Sequence, residues 1–139
     1  MGYAPTFFGV DGLDGILTVE NFDVSLAEGV MLLTPFAADA KDDLTVNFVA
    51  KYQEKYGEIP NQFAADAYDA VYIIKKAMEA KNVTPDMSVS DICEALKGAM
   101  TEIEASGLTS AKMTWAANGE PNKEPKAVVI KNGAYVSAQ

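Results

Sequence analysis

The chain has 139 residues, 49% of them hydrophobic, and a formal net charge of −9. That length suits one ordinary domain, and the apolar share is too high for a disordered segment. The acidic balance argues against nucleic acid and anionic membrane surfaces, whose phosphates require a basic face. The longest apolar runs fall short of the roughly 18 residues that a membrane helix needs. There is no histidine and a single cysteine, Cys93. Ser-His and Cys-His catalysis, an intrachain disulfide and, in practice, a structural zinc site are thereby removed. No catalytic residue, metal or cofactor is expected. The opening MGYAPTFFG lacks the basic region and cleavage site of a signal peptide.

Residues 6–10 read as a short strand that runs into a glycine-punctuated loop. There Gly9 and Gly12 bracket Val10 and Asp11, and Asp14-Gly15 follows. Strand-to-loop junctions of this kind are where α/β folds place ligand contacts. Glycine lets the backbone turn and approach a guest, and Asp11 could accept hydrogen bonds from an ammonium. The competing reading is a plain turn, with Asp11 capping the next helix. Residues 16–26 fit neither period and read as irregular or a short helical turn. Residues 30–35, VMLLTP, suit a buried strand ended by proline.

Asp39 or Asp42 can cap the helix that follows. Leu44, Phe48, Tyr52 and Tyr56 recur every four residues and predict one buried stripe. Gly57 closes that helix, and Asn61 is placed to cap the next. Residues 62–81 form the strongest helical pattern, apolar on nearly all sides and rich in alanine. Asp66 and Asp69 sit in its first half, where a helix dipole favours acids. Ser88 with Asp91 resembles a capping box. It opens a helix whose buried face is predicted to be Val89, Ile92, Cys93, Leu96 and Met100, with Cys93 a small core residue. Residues 105–109 read as a loop, 111–115 as a strand in which Trp115 packs, and 118–123 as solvated loop. Asn132-Gly133 between two β-rich runs predicts a type I′ hairpin.

The phrases PTFFGVDG, AEGVMLLTPF, FVAKYQEKYGEIPNQFAADAYDAVYIIKKAM and GLTSAKMTWAANGEPNKEPKAVVIKNGAYV together resemble the carboxy-terminal part of the type I periplasmic binding proteins. The branch they resemble is the branched-chain amino acid receptors of ABC transporters. The stretch from Phe48 to Val71 is the most specific part. The resemblance implies an α/β lobe, mostly parallel in its sheet, flanked by helices and ended by a β-hairpin. It further implies that residues 1–139 are a single partial domain of a two-lobe protein, and that the protein is not an enzyme.

Carried over residue by residue, the resemblance makes Asp11 the acceptor of an amino acid's ammonium and Phe63 a wall of the side-chain pocket. Gly9 and Gly12 shape the loop. It implies a periplasmic or extracellular protein, free or lipid-anchored, which delivers an amino acid-like solute to a permease. Alone, the chain is expected to bind poorly and to self-associate through strand edges. Two alternatives stand beside this reading. One is the sensing ectodomain of a signalling receptor. The other is a hydrolase using two of Asp11, Asp66 and Asp69 as a carboxylate pair.

Overall fold

The structure, a computed structural model, describes residues 4–138. Its strands and helices follow in the order β1 (Phe8–Gly9), β2 (Met31–Thr34), α1 (Asp43–Tyr56), α2 (Gln62–Ala80), α3 (Val89–Met100), β3 (Lys126–Lys131) and β4 (Ala134–Ser137). The chain forms two compact units. One comprises the residues up to Ala65 together with those from Pro125 onward, and the other is Asp66–Glu124.

The first unit holds a four-stranded sheet in the order β1-β2-β3-β4. β1 pairs with β2 in parallel, while β2–β3 and β3–β4 are antiparallel. Within the described residues the sheet is therefore mixed rather than mostly parallel. One of the two antiparallel pairs has a local cause: the Asn132-Gly133 turn folds β4 straight back on β3. Asn132 and Gly133 both take positive φ, 53° and 71°, as a type I′ turn requires. The strand expected over 30–35 is β2, shorter by one residue at each end, and its Leu32 and Thr34 point inward. The core gathers Ala27, Val30, Leu32, Ala37, Val128 and Ile130, with Leu13, Ile16, Leu17, Phe22 and Tyr135 packed against it. The segment 16–27 forms two short 3₁₀ turns, Ile16–Thr18, which packs Ile16 and Leu17 against the core, and Val24–Ala27, which contributes Ala27 to it.

Helix α1 starts where the cap was expected. Asp42 accepts from Thr45 N at 2.9 Å, and Asp39 instead holds the Ser137 backbone N–H and hydroxyl. Gly57 ends the helix at φ 77°, with its N–H on the Gln53 carbonyl. The aromatic stripe is present but is not core along its length. Phe48 meets Phe36 edge-on at 6.1 Å between centroids, Tyr52 and Tyr56 pack at a tilt of 50° with centroids 4.6 Å apart, and Tyr56 and Leu44 stay exposed. The rings pack on one another along the helix, and the outer end of the stripe remains exposed.

In the second unit, Ala77, Ala99 and Ile103 form a small core with Ile73, Leu96, Met100 and Trp115 around it. Trp115 packs, as expected. Ser88 caps α3 through Asp91 N, but the helix buries a narrower face than predicted. Val89 lies in its first turn and is exposed, as is Cys93. Cys93 is thus not a core residue: the inward face runs through Leu96, Ala99 and Met100. The strand expected over 111–115 reduces to two isolated bridges, Ala105↔Met113 and Trp115↔Pro121. Its alternation is real, but no neighbour runs beside it long enough to make a ladder. No helix among the described residues is long and apolar enough to cross a membrane.

Candidate functional site

The loop after β1 is built by its own backbone. Leu13 N donates to Val10 O and Asp14 N to Asp11 O, both at 2.9 Å, closing a 3₁₀ turn over Asp11–Leu13. Among the described residues the Asp11 side chain takes part in one bond: its Oδ1 accepts from Gly12 N at 2.9 Å. It is exposed, and no lysine among the described residues pairs with it. A carboxylate that neither caps a helix nor meets a cation keeps acceptor capacity for a guest.

The two loop glycines differ. A methyl at Gly9 would lie 2.5 Å from Leu13 Cδ2, whereas one at Gly12 would meet nothing within 4 Å. Gly9 is there because Leu13 folds over it into the core. Nothing in the packing of the described residues demands glycine at Gly12.

Asp14, the second acid of the loop, has a structural task. Its Oδ1 accepts from Gly15 N at 2.9 Å and its Oδ2 from Gln62 N at 2.8 Å. It thereby supplies an acceptor to the first turn of α2, beside Asn61, whose Oδ1 takes Ala64 N. Tyr135 Oη accepts from Gly15 N at 2.9 Å and bonds the Asp14 carboxyl. Burial raises the Asp14 pKa above its ordinary value, against the lowering pull of the Gln62 and Gly15 amides. Burial likewise raises Tyr135. The space enclosed by Asp14, Thr34, Pro60, Asn61 and Tyr135 is about 10 Å³, room for one water at most. Both Asp14 oxygens are held by the chain's own amides, whereas the Asp11 carboxylate of the same loop is exposed.

Gln62 ties loop to helix a second time. Its side chain is 1% exposed. Nε2 donates to the Asp11 carbonyl at 2.8 Å and Oε1 accepts from Thr34 Oγ1 at 3.0 Å. The next residue, Phe63, is 50% exposed, so it is not core packing here and offers a free ring. The loop carrying Asp11 and the helical turn carrying Phe63 thus belong to one hydrogen-bonded corner of the first unit. Sequence reading named Asp11 and Phe63. It missed Gln62 and Asp14, because a glutamine at a helix start and an Asp-Gly pair carry no signal of a partner some 50 residues away.

The other two candidate acids lie in the second unit and are engaged. Asp66 Oδ1 pairs with Lys123 Nζ at 2.8 Å; that lysine leaves the solvated loop to which it was assigned. Asp69 is buried at 2% exposure and does not serve the helix dipole. Its Oδ1 accepts from Leu108 N at 2.8 Å, and its Oδ2 accepts from Thr109 N at 2.9 Å and Thr109 Oγ1 at 2.7 Å. This unit also has an open groove of about 690 Å³ along Val71, Ile74 and Met78. Its charges, Lys75 and Glu79, face each other at 3.6 Å, which leaves no convergent polar set. No cluster of three or more metal-ligating residues occurs among the described residues.

The fold is that of a type I periplasmic binding protein. The chain belongs to the periplasmic binding protein family, whose description fits residues 9–134. It is similar in structure to the leucine binding protein LivK of Thermotoga maritima, with TM-score 0.76 and 21% identity over 99% of this chain and 37% of that one. It is similar to the branched-chain amino acid transporter substrate binding protein LivJ of Streptococcus pneumoniae, solved with isoleucine. There the TM-score is 0.75 and the identity 23%, over 97% of this chain and 36% of that one. A putative branched-chain amino acid ABC transporter protein of Rhodospirillum rubrum is 26% identical at TM-score 0.61, over 99% of this chain and 38% of its own length. The chain therefore spans little more than a third of each of these proteins. No curated protein matches it.

Proposed function

We propose that this chain is the carboxy-terminal lobe, a single partial domain, of the solute-binding component of an ABC transporter. Its ligand is an aliphatic amino acid. The observation that carries this reading is Asp11: an exposed carboxylate with no cationic partner among the described residues, on a loop braced to the turn that presents Phe63. The carboxylate meets the ammonium and the ring meets the side chain, and groups beyond this chain meet the ligand's carboxylate. The solute passes to a membrane permease, and the protein works in the periplasm or outside the cell, free or lipid-anchored. It is not an enzyme. The carboxylate-pair alternative loses its partners, since Asp66 is ion-paired and Asp69 is saturated by three donors.

With part of the clamp, binding is expected to be weak, on the order of millimolar. Titration of the ¹⁵N-labelled chain with L-leucine should shift the Asp11 and Gly12 amide resonances. 4-Methylpentanoate, which is leucine without its amino group, should not shift them. Asp11→Asn should weaken the leucine response about 10- to 100-fold. An equal response to both ligands would exclude Asp11 as the ammonium acceptor.

A second copy is the partner we propose for the open sheet edge. β1 ends the sheet, and Phe8 on it and Phe7 and Val10 on either side of it are each at least 60% exposed. An edge of this kind pairs with another chain. Light scattering should show a mass that rises with concentration; a constant monomer mass up to millimolar protein would refute it.

A further inference from the structure

We propose that Gln62 is a positioning residue for ligand recognition, holding the Asp11 peptide so that its carboxylate stays aimed outward. The inference rests on the reading of Asp11 given above and adds a residue to that site.

Three observations carry it. Gln62 is a fully buried amide with both ends engaged, Thr34 Oγ1 on Oε1 and the Asp11 carbonyl on Nε2. Its orientation is fixed by chemistry, because the Asp11 carbonyl can only accept and must therefore face the NH₂ group. The same residue's backbone N–H reaches Asp14 Oδ2. One residue thus grips both ends of the turn that displays Asp11. The Asp11 carbonyl also accepts Asp14 N, so the Gln62 bond steadies the turn's own closing bond. Phe63 follows directly, and Gln62 therefore couples acid and ring into one rigid element. Rigid first contacts lower the ordering cost of binding.

The test compares wild type, Gln62→Met and Asp11→Asn in two measurements. Hydrogen exchange is followed at the Leu13 and Asp14 amides, which close the turn, and at the Ile130 amide, which bonds Val30 O inside the sheet. In Gln62→Met the first two should exchange about tenfold faster relative to Ile130, and the leucine-induced shift at Gly12 should need at least about tenfold more ligand. A parallel rise at all three amides would mark Gln62 as a general support and overturn the proposal. So would a loosened turn with an unchanged leucine response. If wild type gives no leucine response, or Asp11→Asn responds like wild type, the reading of Asp11 fails and takes the proposal with it. An unchanged Asp11→Asn is thereby distinguished from an unchanged Gln62→Met. Should Gln62→Met not fold, Gln62→Glu replaces it. It keeps the length and the acceptor for Thr34 but sets an oxygen against the Asp11 carbonyl, and the same outcomes decide.

Discussion

Replacing Asp69 with alanine is expected to destabilise the unit Asp66–Glu124 by about 3–5 kcal/mol. The carboxylate is buried at 2% exposure. It takes the Leu108 and Thr109 backbone N–H groups and the Thr109 hydroxyl, all within 2.9 Å. Alanine would leave three donors unmet at once. Each costs about 1–3 kcal/mol when buried without an acceptor, less what entering water restores. A small unit has little margin against such a loss. At about 4–8 °C per kcal/mol for a unit of this size, the thermal midpoint by circular dichroism should fall by at least about 12 °C. Asp69→Asn keeps one acceptor oxygen and should lose roughly half as much. Gly107 belongs to the same argument, because a Cβ there would run into the Asp69 carboxylate. The loop passes so close that only glycine fits, and Gly107→Ala should lower the midpoint in the same direction. A melt of Asp69→Ala within about 3 °C of wild type would show that the carboxylate is not the anchor of this loop.

What could be read without coordinates was what neighbours in the chain decide. The Asn132-Gly133 turn, the Gly57 stop and the Asp42 and Ser88 caps each depend on bonds within a few residues. Each was legible. Asp69 was not, since its donors lie 39 and 40 residues further on, and an acid in the first half of a helix has a simpler local explanation. Cys93 misled because α3 is apolar over a wider arc than it buries. The apolar surround of α2 was legible as pattern but not as burial. Ala65 and Ala77 are fully buried, while Val71 and Ile74 stay exposed. At the candidate site, Asp11 and Phe63 could be named from the family phrase. What holds them, Gln62 and Asp14, emerges only when loop and helix meet.

Asp14 governs the other large effect, in the unit that carries the candidate site. Asp14→Ala should cost about 2–3 kcal/mol, through loss of the acceptor for the first turn of α2 and for Gly15 N. Its titration sets a sign. Burial lifts the folded pKa above the ordinary 3.8 despite the opposing amide bonds. Ionisation is therefore harder in the folded chain than in the unfolded one. The protonated form's contribution is fully present below 3.8 and is lost as pH rises through the raised folded value. Asp42, lowered by the Thr45 amide, runs the other way. So does Asp39, where the Ser137 bonds outweigh burial. Both contribute above the ordinary carboxylate range, and that contribution is lost as pH falls. The two effects separate in a comparison of wild type with Asp14→Asn, which share Asp39 and Asp42. As pH rises from 3 toward 7, wild type should lose stability relative to Asp14→Asn, read as the difference between their urea midpoints. A difference that stays flat, or moves in favour of wild type, would mean that the amide bonds rather than burial control this carboxyl, and that the clamp between loop and helix is strongest when Asp14 is charged.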